Sequence, residues 1–542
     1  MRNRRRGVIL LLVLVTVSLL ALAVGYFADL MLNEHRAAQT SSRQSQARTF
    51  AESGAELARQ FLDRTPDDLQ AAGGLYDNSQ RFYNQLVADD DSARDRGRFS
   101  IVAPKLDDAT GNSVTGVRYG LLDESAKINL ATILSYDNSS GSTGTSTGTS
   151  AGSSTASSSS SDGDDAADNT NAHAMLMGLP GMTDDVADAI LDWIDADDTP
   201  REQGVESEYY SGLQPAYAPR NAPPTTIEEL LLVKGVTPEL LFGYDAVKMG
   251  YSSSDSVSGA ISGVASDGSM DHGWAAYLTL WSAESTFKSS DGTPKINLNQ
   301  SDLSSLYTQL GSVLDETQAE FIVAYRLGGG TADGSGHLDT SKLDGASGRN
   351  QIGNMLDLVG AAAIRLTPPS GNAASPEGTS TLANPFTSDT GAMNEYLPML
   401  FDNCTTVSGA SIPGRININQ ASRIVLLSIP NMTSDLVDQI MSTRTPDSSS
   451  STAQADRSCP AWPLIEGIMP LATMKLILPY ITAGGSIYRA QIIGHFDKGT
   501  PSSRLEVMID ATQHPAQVLF WKDMPNDFRF AGETSGGTAN EH

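Results

Sequence analysis

The first 63 residues fall into two halves of different pattern. From Val8 to Phe27 the chain is almost uniformly apolar and carries no charge. About 20 such residues span a hydrocarbon core of roughly 30 Å. A secretory signal has a shorter apolar region of about 7–15 residues followed by a small-residue cleavage site. Here the chain instead continues in helical rhythm, with Met31, Ala38, Phe50, Ala51, Leu57, Ala58, Phe61 and Leu62 as an intermittent stripe and no proline before Pro66. The pattern predicts one helix from Val8 to Asp63, about 80 Å long at roughly 1.5 Å per residue. Its lower part is suited to lipid and its upper part is amphipathic. Arg2, Arg4, Arg5 and Arg6 precede it, which predicts a cytoplasmic N-terminus.

The period then changes to two. Arg98–Val117 predicts a strand and a loop, with a second strand at RYGLLDE. Near the other end, Ile487–Ile493, Arg504–Asp510 and Gln517–Trp521 predict antiparallel strands able to pack on the upper half of the long helix. Between these regions one unit recurs. KINLATIL starts at Lys127, KINLNQSDLSSL at Lys295 and RININQASRIVLL at Arg415. Each predicts a short strand entering a helix, with the asparagine or the following Ser/Asp as N-cap. A turn and a second helix follow in LPGMTDDVADAILDWI, LGSVLDETQAEFIVAYR and IPNMTSDLVDQIMSTR, and a fourth turn of this kind is LLLVKGVTPELLFG. Thr183, Thr237 and Thr433 are the expected N-caps. Glycine, or Asn431, is expected at positive φ in the turns. Polar spacers separate the units: 137–171 (Ser/Gly/Asp-rich), Ser252–Asp271, Pro368–Thr390 and the PDSSSSTAQADRS run before Cys459.

Charge narrows the functions. With 64 acidic against 36 basic residues the net charge is −28, which disfavours nucleic acid as a partner. This matters because the turns resemble helix-hairpin-helix elements, which would make a membrane-anchored DNA-binding or uptake protein the alternative reading. The acids in TDD and TSD stand where a phosphate would approach. Cys404 and Cys459 lack metal-ligand spacing; they read either as one disulfide or as two buried thiols. The seven histidines are scattered without HExxH, and no phosphate-loop motif is present, so no enzyme is expected. The candidate chemistry lies in one acidic loop holding Asp192, Asp195, Asp197, Asp198, Glu202, Glu206 and Glu208. Asp195, Asp197, Thr199 and Glu206 fall at EF-hand-like positions, although Pro200 replaces the customary glycine. So many carboxylates repel one another unless a cation lies among them, and a flexible all-oxygen loop favours calcium. Trp193, Tyr209 and Tyr210 read as core.

The block LDWIDADDTPR (Leu191–Arg201) with Gly204, Glu206, Tyr209 and Tyr210 closely resembles the α-helical domain of the general secretion pathway protein K family, the large minor pseudopilins of type II secretion. Ala218–Leu240 continues the likeness, as do DESAKINLA before it, ININQAS after it and the pilin-like N-terminus. The resemblance implies an α+β fold: a pilin-like transmembrane helix packed on an antiparallel sheet, with a large inserted helical domain of helix-hairpin-helix-like (SAM-like) repeats. It divides the chain into a basic leader (1–7), a transmembrane helix (8–27, helical to about 64) and a pilin-like part (65–131). The linker (137–171), the helical domain (172–250) and two strand-helix repeats (272–366 and 391–483) follow, then C-terminal strands (484–526) and a flexible tail (527–542). It also implies prepilin-peptidase cleavage between Gly7 and Val8, N-methylation of Val8, and calcium in the helical domain. The implied partners are the other minor pseudopilins, the major pseudopilin and the inner-membrane assembly platform, with the bulk of the chain periplasmic. The fifth mature position, a glutamate in most pilin-like subunits, is Leu12 here. A tip subunit has no neighbour above whose amine such a glutamate would meet.

Overall fold

The computed structural model describes residues 4–106, 114–139, 170–243, 273–289, 291–333, 335–368, 380–444, 456–498 and 501–524. Residues 140–169 of the linker, the Ser252–Asp271 patch and the tail lie outside the described residues, as do 369–379 and 446–455 of the other two spacers.

Helix α1 (Arg4–Leu62) is a single element of 59 residues, about 88 Å at roughly 1.5 Å per residue. It is long and apolar enough to cross a membrane. Leu11 to Phe27 are exposed throughout, and so are Met31 and Ala38, which the sequence pattern places in the packing stripe. The stripe that does pack is Ala47, Phe50, Ala51, Gly54, Ala55, Ala58, Phe61 and Leu62, all buried. It is dominated by small residues, so the helix lies close to the sheet beneath it. Gly494 makes this possible from the other side: a Cβ there would overlap the Ala47 carbonyl oxygen.

That sheet has seven strands: β1 (Gln85–Ala88), β2 (Gly97–Leu106), β3 (Val114–Arg118), β4 (Leu122–Asp123), β5 (Ile487–Phe496), β6 (Ser503–Asp510) and β7 (Gln517–Met524). The order is β1-β2-β5-β6-β7, with β3 on β2 and β4 on β5, all antiparallel. Ile492 of β5 stands opposite Ile101 of β2 and Leu505 of β6, and all three belong to the core that α1 covers. The expected RYGLLDE strand is broken in two. Gly120 passes so close to the Tyr76 carbonyl that a Cβ would overlap it, and the chain bends there before β4.

The sheet is therefore assembled from the two ends of the chain, and a large head is inserted between Asp123 and Ile487. The head has one extended apolar core, built on the three recurring units. Each unit closes on itself. Ile128–Asn129 pairs in parallel with Leu278–Thr279, Ile296–Asn297 with Cys404–Thr405, and Ile416–Asn417 with Ile481–Thr482. Ile128–Asn129 thus belongs to the head and not to the sheet. In each unit the asparagine side chain accepts from the backbone N–H two residues on: Asn129 from Ala131 (2.9 Å), Asn297 from Asn299 (2.8 Å) and Asn417 from Asn419 (2.9 Å). This is an Asx turn, not the helix cap expected of the asparagine.

Two helices then pack as a hairpin in each unit: α2 (Asn171–Met177) with α3 (Asp184–Ile194), α5 (Leu303–Leu310) with α6 (Glu316–Leu327), and α7 (Arg423–Leu427) with α8 (Ser434–Thr443). Helix α4 (Ser207–Ser211) follows α3. Thr170, Asp302 and Ser422 cap the first helix of each pair. Thr433 caps α8, and Thr237 caps the short helix Pro238–Phe242. Thr183 stands at its expected position but donates its hydroxyl to Asp185 at 2.6 Å instead of receiving a backbone N–H. Gly181, Gly235 and Asn431 adopt positive φ as expected. Gly311 does not; it continues right-handed with φ −63.

Candidate metal centre

The acidic loop leaves the C-terminal end of α3 and returns at α4. Its sequence carries more acid than it can space apart, and the structure separates these acids by role. Asp192 is fully buried, and its carboxylate accepts from the Arg201 guanidinium at 2.7 Å and from the Arg201 backbone N–H. Gly204 lies against it, where a Cβ would overlap the carboxylate. Asp192 is thus a structural anchor of the loop and is removed from the expected ligand set. Asp198 accepts from Ser207 Oγ at 3.0 Å and Asn221 Nδ2 at 3.1 Å. Glu202 and Glu208 are exposed and stand outside the converging group.

That group is Asp195, Asp197 and Glu206, which offer oxygens all within 4.8 Å of one another. They are the first, third and twelfth positions of the EF-hand-like count. Glu206 is only 6% exposed, and neither carboxylate oxygen has a hydrogen-bond partner; Asp195 Oδ1 is likewise buried and unpartnered. Glu206 precedes α4 without capping it. Burial, followed by the charges of Asp192, Asp195, Asp198 and Asp197, pushes its carboxyl up to about 7. Burial also raises Asp195, against the pull of Arg201, whose guanidinium holds the other Asp195 oxygen at 2.5 Å. Buried acceptors are normally satisfied, so three unmet carboxylate oxygens aimed together fit a hard divalent cation. Asp197 Oδ1 already accepts from the Thr199 backbone N–H at 2.8 Å, which fixes the turn and orients the carboxylate.

The aromatic floor is as expected for two of its three members. Trp193 and Tyr210 are buried edge to face with centroids 5.2 Å apart, and the indole N–H donates to Glu229 at 3.2 Å. Tyr209, read as core, is exposed; it meets Tyr210 edge to face with centroids 5.2 Å apart, and the Lys234 ammonium lies over its ring at 5.6 Å. Cys404 and Cys459 are both buried free thiols, so the bridge is not formed. Gly7 and Val8 lie within α1, and their side chains are outside the described set.

DESAKIN, significant in the sequence only as part of a resemblance, forms the joint between sheet and head. Asp123 accepts from Asn417 Nδ2 at 2.7 Å and from the Gly485 and Ser125 backbones. Glu124 is fully buried and takes Arg489 Nε at 2.8 Å and the Thr279 hydroxyl at 2.5 Å, with Lys127 at 3.6 Å. These contacts tie β4 and β5 to the closing strand of the first unit and the opening strand of the third. No spacing in the sequence marks Arg489 as the partner of Glu124, because the two are 365 positions apart.

Residues 126–243 match the family described as type II secretion system (T2SS), protein K. No curated protein matches the chain. Among solved structures, the GspK–GspI–GspJ complex of the enterotoxigenic Escherichia coli type 2 secretion system contains a similar chain, at 9% identity and a TM-score of 0.37. The match covers 90% of this chain and 99% of that one. A likeness at that level does not establish function.

Proposed function

We propose, from the premise that its 126–243 segment is of the type II secretion protein K family, that this chain works as a minor pseudopilin at the tip of the secretion pseudopilus. It would be anchored in the inner membrane by α1, with the sheet and head on the periplasmic side. The observation that carries the reading is the joining of that family segment to a long apolar helix seated on an antiparallel sheet. The action is steric. The exposed lower half of α1 would lie among the helices of other pseudopilins, while the head, wider than the helix that bears it, leaves no room for a subunit above. Capping and the start of assembly would both follow from that shape. Leu12 fits the top position, since an unpaired carboxylate in lipid is costly.

Asp195, Asp197 and Glu206 would hold calcium, which would pin the loop between α3 and α4. The cation replaces mutual repulsion with shared coordination, so its work is to stiffen the head and not to catalyse.

The direct test is mass spectrometry of the N-terminus from membranes. A mature chain beginning with methylated Val8 is expected; an intact Met1 start would count against the pilin-like role. Pull-down of the other minor pseudopilins by the full chain tests the tip assignment separately.

A further inference from the structure

The head meets the sheet along a seam that is fastened in one part. Ser486 donates its backbone N–H to the Ala283 carbonyl at 2.8 Å, Ser285 donates its hydroxyl to the Thr512 carbonyl at 2.9 Å, and Asp123 and Glu124 hold the joint. Elsewhere the seam is less full. A cavity of about 320 Å³ lies between Thr226, Glu228 and Trp281 of the head and Met508, Phe520 and Lys522 of the sheet, whereas packed interiors hold few voids larger than a water molecule. Lys522 of β7 reaches across to Glu228 at 3.1 Å, and both side chains are exposed. From Glu228 a short path leads back to the acidic loop. Its neighbour Glu229 accepts the Trp193 indole N–H at 3.2 Å and the Thr225 backbone N–H and hydroxyl, each at 3.1 Å, with the Arg220 guanidinium at 3.4 Å. Next to Arg220, Asn221 donates its side-chain amide to the Asp197 carbonyl oxygen at 2.9 Å and to the Asp198 carboxylate at 3.1 Å. Trp193 stands two positions before Asp195. Two of the three converging acids are thus tied closely to the 220–229 segment.

We infer that residues 220–229 form a strut that couples a cation at Asp195, Asp197 and Glu206 to the seam between head and sheet. The inference rests on the reading of that group as a calcium site. Binding draws the three carboxylates together and fixes the Asp197 backbone. Asn221 then holds one end of the strut, Trp193 and Arg220 hold Glu229, and Glu228 is presented to Lys522. Without the ion the carboxylates repel one another, the strut loses its anchor at the loop, and the ion pair across the cavity loosens. Static packing is the competing account; under it the loop and β7 respond independently. Coupling is reciprocal, so if calcium strengthens the Lys522 contact, that contact strengthens calcium binding by the same factor. This gives a test by sign. Deleting a cation from an acidic protein deepens its negative field, which by itself raises calcium affinity. Loss of the strut's contact lowers it.

The experiment uses the full chain in detergent. Calcium is titrated by calorimetry, and hydrogen exchange is followed with and without the ion. Lys522→Ala should lower calcium affinity about two- to fivefold, the range that one exposed ion pair can carry, and Lys522→Arg should restore it. Lys342→Ala removes another exposed cation, one paired with Asp339 at 3.3 Å within the head, and should not lower the affinity. In the unaltered chain calcium should slow amide exchange in β7 as well as in the acidic loop; in Lys522→Ala it should slow the loop alone. An affinity unchanged or raised in Lys522→Ala, or β7 exchange indifferent to calcium while the loop is protected, overturns the coupling and leaves the metal site standing. No calcium binding by the unaltered chain overturns both.

Discussion

Glu206 shows how one side chain ties the loop to its conditions. Without a cation its carboxyl titrates at about 7 instead of the ordinary 4.5. A proton and calcium therefore compete for it, and calcium affinity should fall as pH drops through about 7, measurable by calorimetry at a series of pH values. The sign without calcium is opposite to that of a paired acid. The native state keeps a proton that the unfolded chain has already released, so stability in chelator should decline as pH rises from 4.5 toward 7. Glu206→Gln should remove both trends and the thermal response to calcium. Glu124 behaves conversely. Although burial opposes it, Arg489 and Lys127 hold its carboxyl down at about 2, so its contribution is complete above pH 4.5 and is lost as pH falls toward 2. Glu124→Ala leaves Arg489 and Lys127 facing a buried void and should cost about 3–5 kcal/mol, read from denaturant unfolding.

At the scale of elements, the contact between α1 and the sheet rests on absent side chains. Gly494→Ala would place a methyl group against the helix backbone at Ala47, where neither backbone can retreat without breaking its own hydrogen bonds. A loss of about 1–3 kcal/mol or more is expected, seen as a lowered unfolding midpoint with α1 becoming protease-sensitive above Arg43. The elements themselves were largely legible. The apolar run and the stripe after it marked α1, period-two patterning marked β5 to β7, and repeated Ile-Asn marked the three units. Pairing across long separations was not legible. A two-residue strand such as Leu278–Thr279 has no period to detect, and its partner lies 150 residues away. In the same way seven acids were visible as a group, but which three converge depended on Arg201 and Gly204 drawing Asp192 aside.

At the scale of the molecule, the head leaves the sheet at Asp123 and returns at Gly485, and these two residues are hydrogen-bonded at 3.0 Å. Entry and exit being adjacent, the head is a true insertion. Replacing 127–483 by a short flexible linker, with Glu124 and Arg489 retained, should leave a folded helix-and-sheet core that unfolds cooperatively by circular dichroism and no longer responds to calcium. Truncation after Thr482 should do the reverse. It removes β5, which lies between β2 and β6, and leaves the small-residue stripe of α1 uncovered, so the product should aggregate.

The parallel Ile-Asn pairs act as clasps. Because each unit's first and last strands are fastened to each other, extra residues spliced between them enlarge a closed loop and displace nothing outside it. The long serine-rich run within the first unit is such an addition. An epitope placed there should leave the sheet, α1 and the unfolding midpoint of the chain unchanged, as read by circular dichroism and thermal unfolding.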